Sequence, residues 1–168
     1  MTRITKGETN LISLYCPTEE QTQRLGLCLG ARLRPGDVVL LRGEMGAGKS
    51  VLARAAARGM GVTDPVPSPT FTIMNVHEGR AMRLYHFDLY RLEGADALYE
   101  MGLDEYIPAP DGVALIEWPD MADEAMPERV LEVALLYGED GEGRHVTLAA
   151  RGGFDEERLR DLREEIES

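Results

Sequence analysis

Eight consecutive residues, Gly43-Glu44-Met45-Gly46-Ala47-Gly48-Lys49-Ser50, place glycines, a lysine and a hydroxyl at the spacing G-x-x-x-x-G-K-[ST]. The chemistry such a run can do is the binding of a polyphosphate. A group with several negative charges is best held by backbone N–H donors that converge on it and by the positive end of a helix. Gly43, Gly46 and Gly48 let the chain turn through positive φ and bring its backbone close to the phosphates, where a Cβ would intrude. Lys49 can then reach the outer phosphate oxygens, and the Ser50 hydroxyl is placed to ligate Mg²⁺.

A cradle of this kind needs a strand before it and a helix after it. Residues 37–41, Asp-Val-Val-Leu-Leu, are an apolar, β-branched run suited to a buried parallel strand that enters the loop directly. Residues 51–58, with four alanines, predict a helix that stops at Gly59 and Gly61. Strand, full motif and helix in this order read as a nucleotide-binding unit.

A P-loop also needs an acidic group near the metal, usually at the end of a neighbouring buried strand. Residues 113–118, Val-Ala-Leu-Ile-Glu-Trp, end in Glu117 and are stopped by Pro119, so that Glu117 falls at the carboxyl end of a strand, where ligands collect in open α/β sheets. In the run Tyr85-His86-Phe87-Asp88-Leu89-Tyr90-Arg91, a strand would send His86, Asp88 and Tyr90 to one side and Phe87 and Leu89 to the core. The imidazole and carboxylate could orient a water, meet Mg²⁺ through its hydration shell, or hydrogen-bond each other. His86 has no cysteine or histidine partner at zinc-ligand spacing. Ser68-Pro69-Thr70-Phe71 lies where a phosphate-sensing switch would run, although the same residues could be a proline-stiffened connection. Trp118, the only tryptophan, reads as packing. No N-K-x-D sequence occurs, which favours ATP over GTP.

The remaining elements must position these groups. Residues 11–15 predict a short strand ended by Pro17, beside the P-loop core. A helix then opens with Thr18 and Gln21 as a capping box and sets Leu25, Cys28, Leu29 and Leu33 on one face. Pro35-Gly36 turns the chain into the P-loop strand. The prolines of residues 64–70 exclude helix. Residues 71–76 and 82–89 predict a hairpin, residues 94–101 a short helix, and residues 129–137 and 144–150 a second hairpin across the Gly-rich turn 138–143. Residues 154–168 close the chain as an amphipathic helix with Phe154, Leu159, Leu162 and Ile166 inward and a solvated charged face. The expected fold is α/β: a P-loop NTPase with a mixed, partly parallel central sheet flanked by helices, occupying residues 1–168 as one domain.

Composition narrows the partners. The 168 residues suffice for one core without staples. Cys16 and Cys28 fit no metal spacing and read as free thiols of a reducing cytosol. No apolar run approaches the roughly 20 residues of a membrane span, so the protein is expected in the cytoplasm and off the membrane. A formal net charge of −12 and the absence of a dense Lys/Arg stripe argue against direct nucleic-acid binding.

Taken together, the blocks GEMGAGKS, SPTF, YHFDLYRL and LIEW, in this order and in a chain this short, resemble the TsaE family, small bacterial P-loop ATPases of tRNA threonylcarbamoyl modification at adenosine 37. The resemblance runs from about Thr18 to Trp118 and weakens over the last hairpin and helix. It implies ATP and Mg²⁺ as cofactors, with Lys49 and Ser50 on phosphate and metal and Glu117 as the other metal-side carboxylate. Asp88, Glu117 and Lys49 would serve hydrolysis, and residues 68–71 would be switch-like. Nucleotide contacts would fall on Glu44, Met45, Gly46, Ala47, Gly48, Lys49, Ser50, Val51, Thr70 and Trp118, with Glu19, Thr22, Gly143 and Arg144 near the adenosine. The partners implied are TsaD and TsaB, with tRNA met only indirectly. Ser50 replaces a threonine common in the family, and residues 75–77 lack its usual tyrosine.

The mechanism expected is in-line attack of water on the γ-phosphate, with Asp88 or Glu117 orienting the water. No arginine finger in cis stands out, so an isolated chain should turn over slowly and its partners should speed it up. A small-molecule kinase with the same cradle, or a nucleotide-gated binding module that needs no hydrolysis, are the alternatives.

Overall fold

The computed structural model describes residues 2–3, 10–139 and 141–168; Asp140, within the expected Gly-rich turn, lies outside them. Among the described residues eight strands form one sheet: β1 (Thr2–Arg3), β2 (Leu11–Cys16), β3 (Val38–Gly43), β4 (Met74–Glu78), β5 (Arg83–Asp88), β6 (Gly112–Glu117), β7 (Val130–Tyr137) and β8 (Arg144–Arg151). Their spatial order is β1-β2-β8-β7-β3-β6-β5-β4. The central pairs β7–β3, β3–β6 and β6–β5 are parallel, and the outer pairs are antiparallel. The expected mixed, partly parallel sheet is therefore present, flanked by helices α1 (Glu19–Gly30), α2 (Lys49–Gly59), α3 (Ala95–Glu100) and α4 (Glu156–Glu167).

The middle strands are apolar on both faces because both faces are covered. Val39, Leu41, Val113 and Leu115 pack with Leu25 and Leu29 of α1, Leu52 and Ala53 of α2, and Leu159 and Leu162 of α4. Val38, Leu40, Ala114 and Ile116 pack on the opposite face with Ala95 and Leu98 of α3. On the first face α1 and α2 approach closely. A methyl at Gly26 would press on Ala55 and the Leu52 carbonyl, and one at Gly30 would collide with the Ala56 backbone. The alanines of α2 are thus a contact surface as well as good helix formers.

Register then gathers the chemistry. Leu41 of β3 lies beside Glu117 of β6, and Glu117 lies beside Asp88 of β5. The P-loop leaves β3 at the same edge, so its cradle and two carboxylates meet at the carboxyl ends of adjacent parallel strands.

Several boundaries differ from the sequence reading. The first hairpin begins at Met74, not residue 71, because the Ile73 N–H bonds the Pro69 carbonyl at 2.7 Å and closes a turn. Ile73 sits at φ 67°. β5 stops at Asp88, so Tyr90 leaves the strand and Leu89 follows in the next turn. β6 stops at Glu117, and Trp118 turns away in the left-handed region at φ 58°. α1 ends before Leu33, which is buried all the same. The second hairpin enters the sheet next to the P-loop strand, with β7 paired directly to β3, and β2 joins through β8. The charged face of α4 is not wholly solvated, because Arg158 is buried and its guanidinium bonds Asp37 at 2.6 and 2.9 Å.

Candidate functional site

The N-terminus of α2 differs from those of the longer helices α1 and α4. Thr18 caps α1 and Asp155 caps α4 through side-chain oxygens, whereas α2 starts at Gly48, in αL at φ 104°, with no side-chain cap. Gly46 is also at positive φ, 77°. The first N–H groups of α2 face a cleft that no side chain of their own fills, the arrangement that binds anions.

That cleft, of about 290 Å³, is lined on one side by Met45, Gly46, Gly48, Lys49, Ser50 and Val51, and on the other by Ser68, Thr70, Asp88, Tyr90, Glu117 and Trp118. Sequence blocks separated by as few as 17 residues (Val51 to Ser68) and as many as 73 (Met45 to Trp118) thus share one space. Glu44 and Ala47 do not line it. Glu44 is exposed and accepts the Ala47 N–H through its carbonyl, and Ala47 packs into the core beneath the loop.

Lys49 is buried, donates to the Gly43 carbonyl at 2.6 Å and stands over the Trp118 ring, 3.4 Å from its centroid. Burial draws its pKa below the ordinary lysine value, and Glu117, Asp88 and Asp120 pull the other way. Trp118 is itself backed by Tyr90 at 5.0 Å, so it is part of the pocket wall and not simply core.

Asp88 and Glu117 are both buried. Asp88 accepts from the Thr70 hydroxyl and from the Tyr90 N–H, each at 3.0 Å, and Thr70 is linked to Ser68 at 2.8 Å. A chain of hydroxyls therefore ties residues 68–70 to the Asp88 carboxylate. His86 does not bond Asp88; its Nε2 lies 2.7 Å from Glu117 Oε2. Two buried carboxylates side by side, with one ammonium near them, leave room for further positive charge. Among the described residues no cluster of three or more His, Cys, Asp or Glu could hold a metal by itself. One hydroxyl and two carboxylates are nevertheless the donor set suited to Mg²⁺, which keeps much of its water and shares phosphate oxygens.

Glu19, Thr22 and Arg144 lie around a second cavity, of about 180 Å³, with Thr18 and Glu142. It shares Gly46, Gly48 and Val51 with the main cleft. Arg144 also serves the cradle from behind: its Nε donates to the Ala47 carbonyl at 2.9 Å and its Nη2 to the Gly46 carbonyl at 3.3 Å. Gly143 does not line the cavity; a Cβ there would strike the Tyr15 ring. Tyr137, which no local signal in the sequence marks, donates to the Met45 carbonyl at 2.7 Å and lies against the Arg144 guanidinium. Only the pairing of β7 with β3 brings it there.

Comparison with known proteins agrees with this geometry. Residues 16–146 match the family model described as "Threonylcarbamoyl adenosine biosynthesis protein TsaE". The tRNA threonylcarbamoyladenosine biosynthesis protein TsaE of Bacillus subtilis (strain 168) is 38% identical over 133 residues, covering 79% of this chain and 82% of the relative. That of Mycobacterium tuberculosis (strain CDC 1551 / Oshkosh) is 40% identical over 126 residues, covering 71% and 75%. The crystal structure of Bacillus subtilis YdiB superposes with a TM-score of 0.75 at 30% identity, covering 99% of this chain and 96% of that one. By family match, identity and fold together, the chain belongs to the TsaE family of tRNA threonylcarbamoyladenosine biosynthesis proteins.

Proposed function

We propose that this chain is a Mg²⁺-dependent ATPase that supports threonylcarbamoyl modification of adenosine 37 in tRNA without transferring the group itself. It acts in the cytoplasm with the TsaD and TsaB proteins, which hold the tRNA, and works as a single P-loop domain. The observation that carries the reading is the in-register pair Asp88 and Glu117 at the ends of β5 and β6, facing the same cleft as Lys49 and Ser50.

In this reading the uncapped N–H groups of α2 and the Lys49 ammonium hold the phosphates. The Ser50 hydroxyl and Glu117 hold Mg²⁺, which when bound neutralises charge on the phosphate oxygens. Asp88, already held by Thr70 and the Tyr90 N–H, is set to orient a water, and movement of residues 68–71 on nucleotide exchange would pass through that bond. Glu19 and Arg144 border the adenosine end. The family membership supports the role in tRNA modification, and the −12 charge suits a protein that leaves tRNA contact to its partners.

ATP turnover and ADP binding by Glu117→Gln and Asp88→Asn test the chemistry. Turnover should fall by about 100-fold or more, while both variants still bind nucleotide. Unchanged turnover in both would remove these carboxylates from the mechanism.

A further inference from the structure

The buried His86 lies outside the lining of the cleft, yet it touches the carboxylate on which the ATPase reading depends. Resting on that reading, we propose that His86 is a positioning residue for Glu117: it holds Oε2 from behind so that Oε1 is presented to the cleft.

Period-two alternation along β5 puts His86 on the same face as Asp88, opposite Leu115 of β6 and one step behind Glu117. From there its Nε2 lies 2.7 Å from Glu117 Oε2, with both side chains almost fully buried. Glu117 is a wall of the cleft and His86 is not. The imidazole is therefore screened from nucleotide, metal and attacking water, and acts on them only through the glutamate.

The two carboxylates are held differently. Asp88 has the Thr70 hydroxyl and the Tyr90 N–H. Among the described residues, the Glu117 carboxylate has His86 alone as a hydrogen-bond partner. An ionised carboxylate only accepts, so the ring must donate from Nε2. The other ring nitrogen, Nδ1, is buried with no partner among the described residues. That suits a bare acceptor and would be costly for an N–H, which matches the tautomer with its proton at Nε2. One donor in one tautomer thus decides the rotation of the carboxylate. Without it the nearby Lys49 ammonium, which is coupled electrostatically to Glu117, would compete for both oxygens. Histidine and carboxylate partners behind a metal ligand commonly change metal affinity or activity by roughly 10–100-fold when removed.

The test compares His86→Leu, His86→Asn and His86→Gln in the full chain. A Gln amide nitrogen reaches the place of Nε2, whereas an Asn amide nitrogen stays at the place of Nδ1. Each variant is titrated with ADP, in EDTA and then in Mg²⁺, and its kcat and KM for ATP and its thermal midpoint are recorded. In EDTA all three should bind ADP within about threefold of wild type. In Mg²⁺ the Leu and Asn variants should lose roughly tenfold of the metal-dependent gain in affinity and show a lowered kcat at little-changed KM. The Gln variant should recover most of both. If the Leu variant does not fold, the Gln and Asn variants carry the same comparison. A wild type that responds to Mg²⁺ while all variants respond equally would overturn this role alone. So would variants that fall together in EDTA with their thermal midpoints. A wild type whose ADP affinity ignores Mg²⁺ would overturn the ATPase reading, and this role with it.

Discussion

The Lys49 ammonium stands 3.4 Å from the centroid of the Trp118 ring while donating to the Gly43 carbonyl. The cation is thereby set beside the cradle before any phosphate arrives. A cation–π contact that is partly shielded from water contributes about 0.5–2 kcal/mol. Trp118→Ala should therefore weaken ADP binding by roughly 2- to 30-fold. Because Trp118 is the sole tryptophan, tryptophan emission reports the surroundings of this one ring. ADP and ATP should change the emission strongly and adenosine at equal occupancy much less. Equal responses would mean that the ring senses the base, not the charge at Lys49.

Behind the loop, Tyr137 and Arg144 fix the carbonyls of Met45, Gly46 and Ala47. With those carbonyls turned back, the N–H groups of the loop are free to face a phosphate. Loss of the charge-assisted bonds in Arg144→Ala, about 1.5 kcal/mol, should lower ADP affinity by roughly tenfold. Arg144→Lys should not rescue it, since lysine lacks the planar fork. ADP titration of the two variants checks this, and wild-type affinity in Arg144→Ala would contradict it.

Arg158 of α4 reaches through the core face to Asp37, at the root of the P-loop strand, with further bonds to Asp37 from Arg129 and the Arg34 N–H. Asp37 is fully shielded. Removing a partner of a buried ion pair commonly costs about 3–5 kcal/mol. Because Asp37 keeps its other donors, Arg158→Met should fall at the low end of that range in urea unfolding. A loss below about 1 kcal/mol would show that the remaining donors suffice.

His77 is buried on β4, and among the described residues its Nε2 has no partner. Burial holds its pKa below the usual histidine value, and Asp64 only partly offsets this. Well above about pH 6.5, the ordinary histidine value, the group is neutral in folded and unfolded chains alike and adds no pH dependence. As pH falls through that value the unfolded chain takes up the proton first, so stability declines towards acid. Unfolding free energy of His77→Phe, measured from pH 7 to pH 5, should fall less steeply than that of wild type. Parallel slopes would assign the acid loss elsewhere.

These relationships divide by how far along the chain their cause lies. The P-loop, its strand and its helix were legible because glycine spacing, an apolar run and an alanine-rich run act locally. Glu117 could be found from its place at a strand end, and Asp88 from the alternation along residues 85–91. The turn at Ile73 was not legible: a β-branched residue at φ 67° contradicts its own preference, and a bond from its N–H to Pro69 holds it there. Trp118 reads as core packing in the sequence because neither its turn out of β6 nor its contact with Lys49 has a local signal. Tyr137 and Arg158 owe their roles to long-range pairing, which periodicity does not encode. His86 was visible as a polar residue on the right face, but its choice of Glu117 over Asp88 follows from the offset between two parallel strands.

The central claim is that ATP hydrolysis in this cleft is coupled to partner proteins. The most direct measurement is steady-state phosphate release from Mg-ATP by the purified chain, alone and with a purified TsaD and TsaB pair, beside Lys49→Ala. The account predicts slow release alone, clear stimulation by the pair, and loss of both in the Lys49 variant. Rapid release that the pair does not alter, or no release in either condition from a protein that binds ATP, would contradict it.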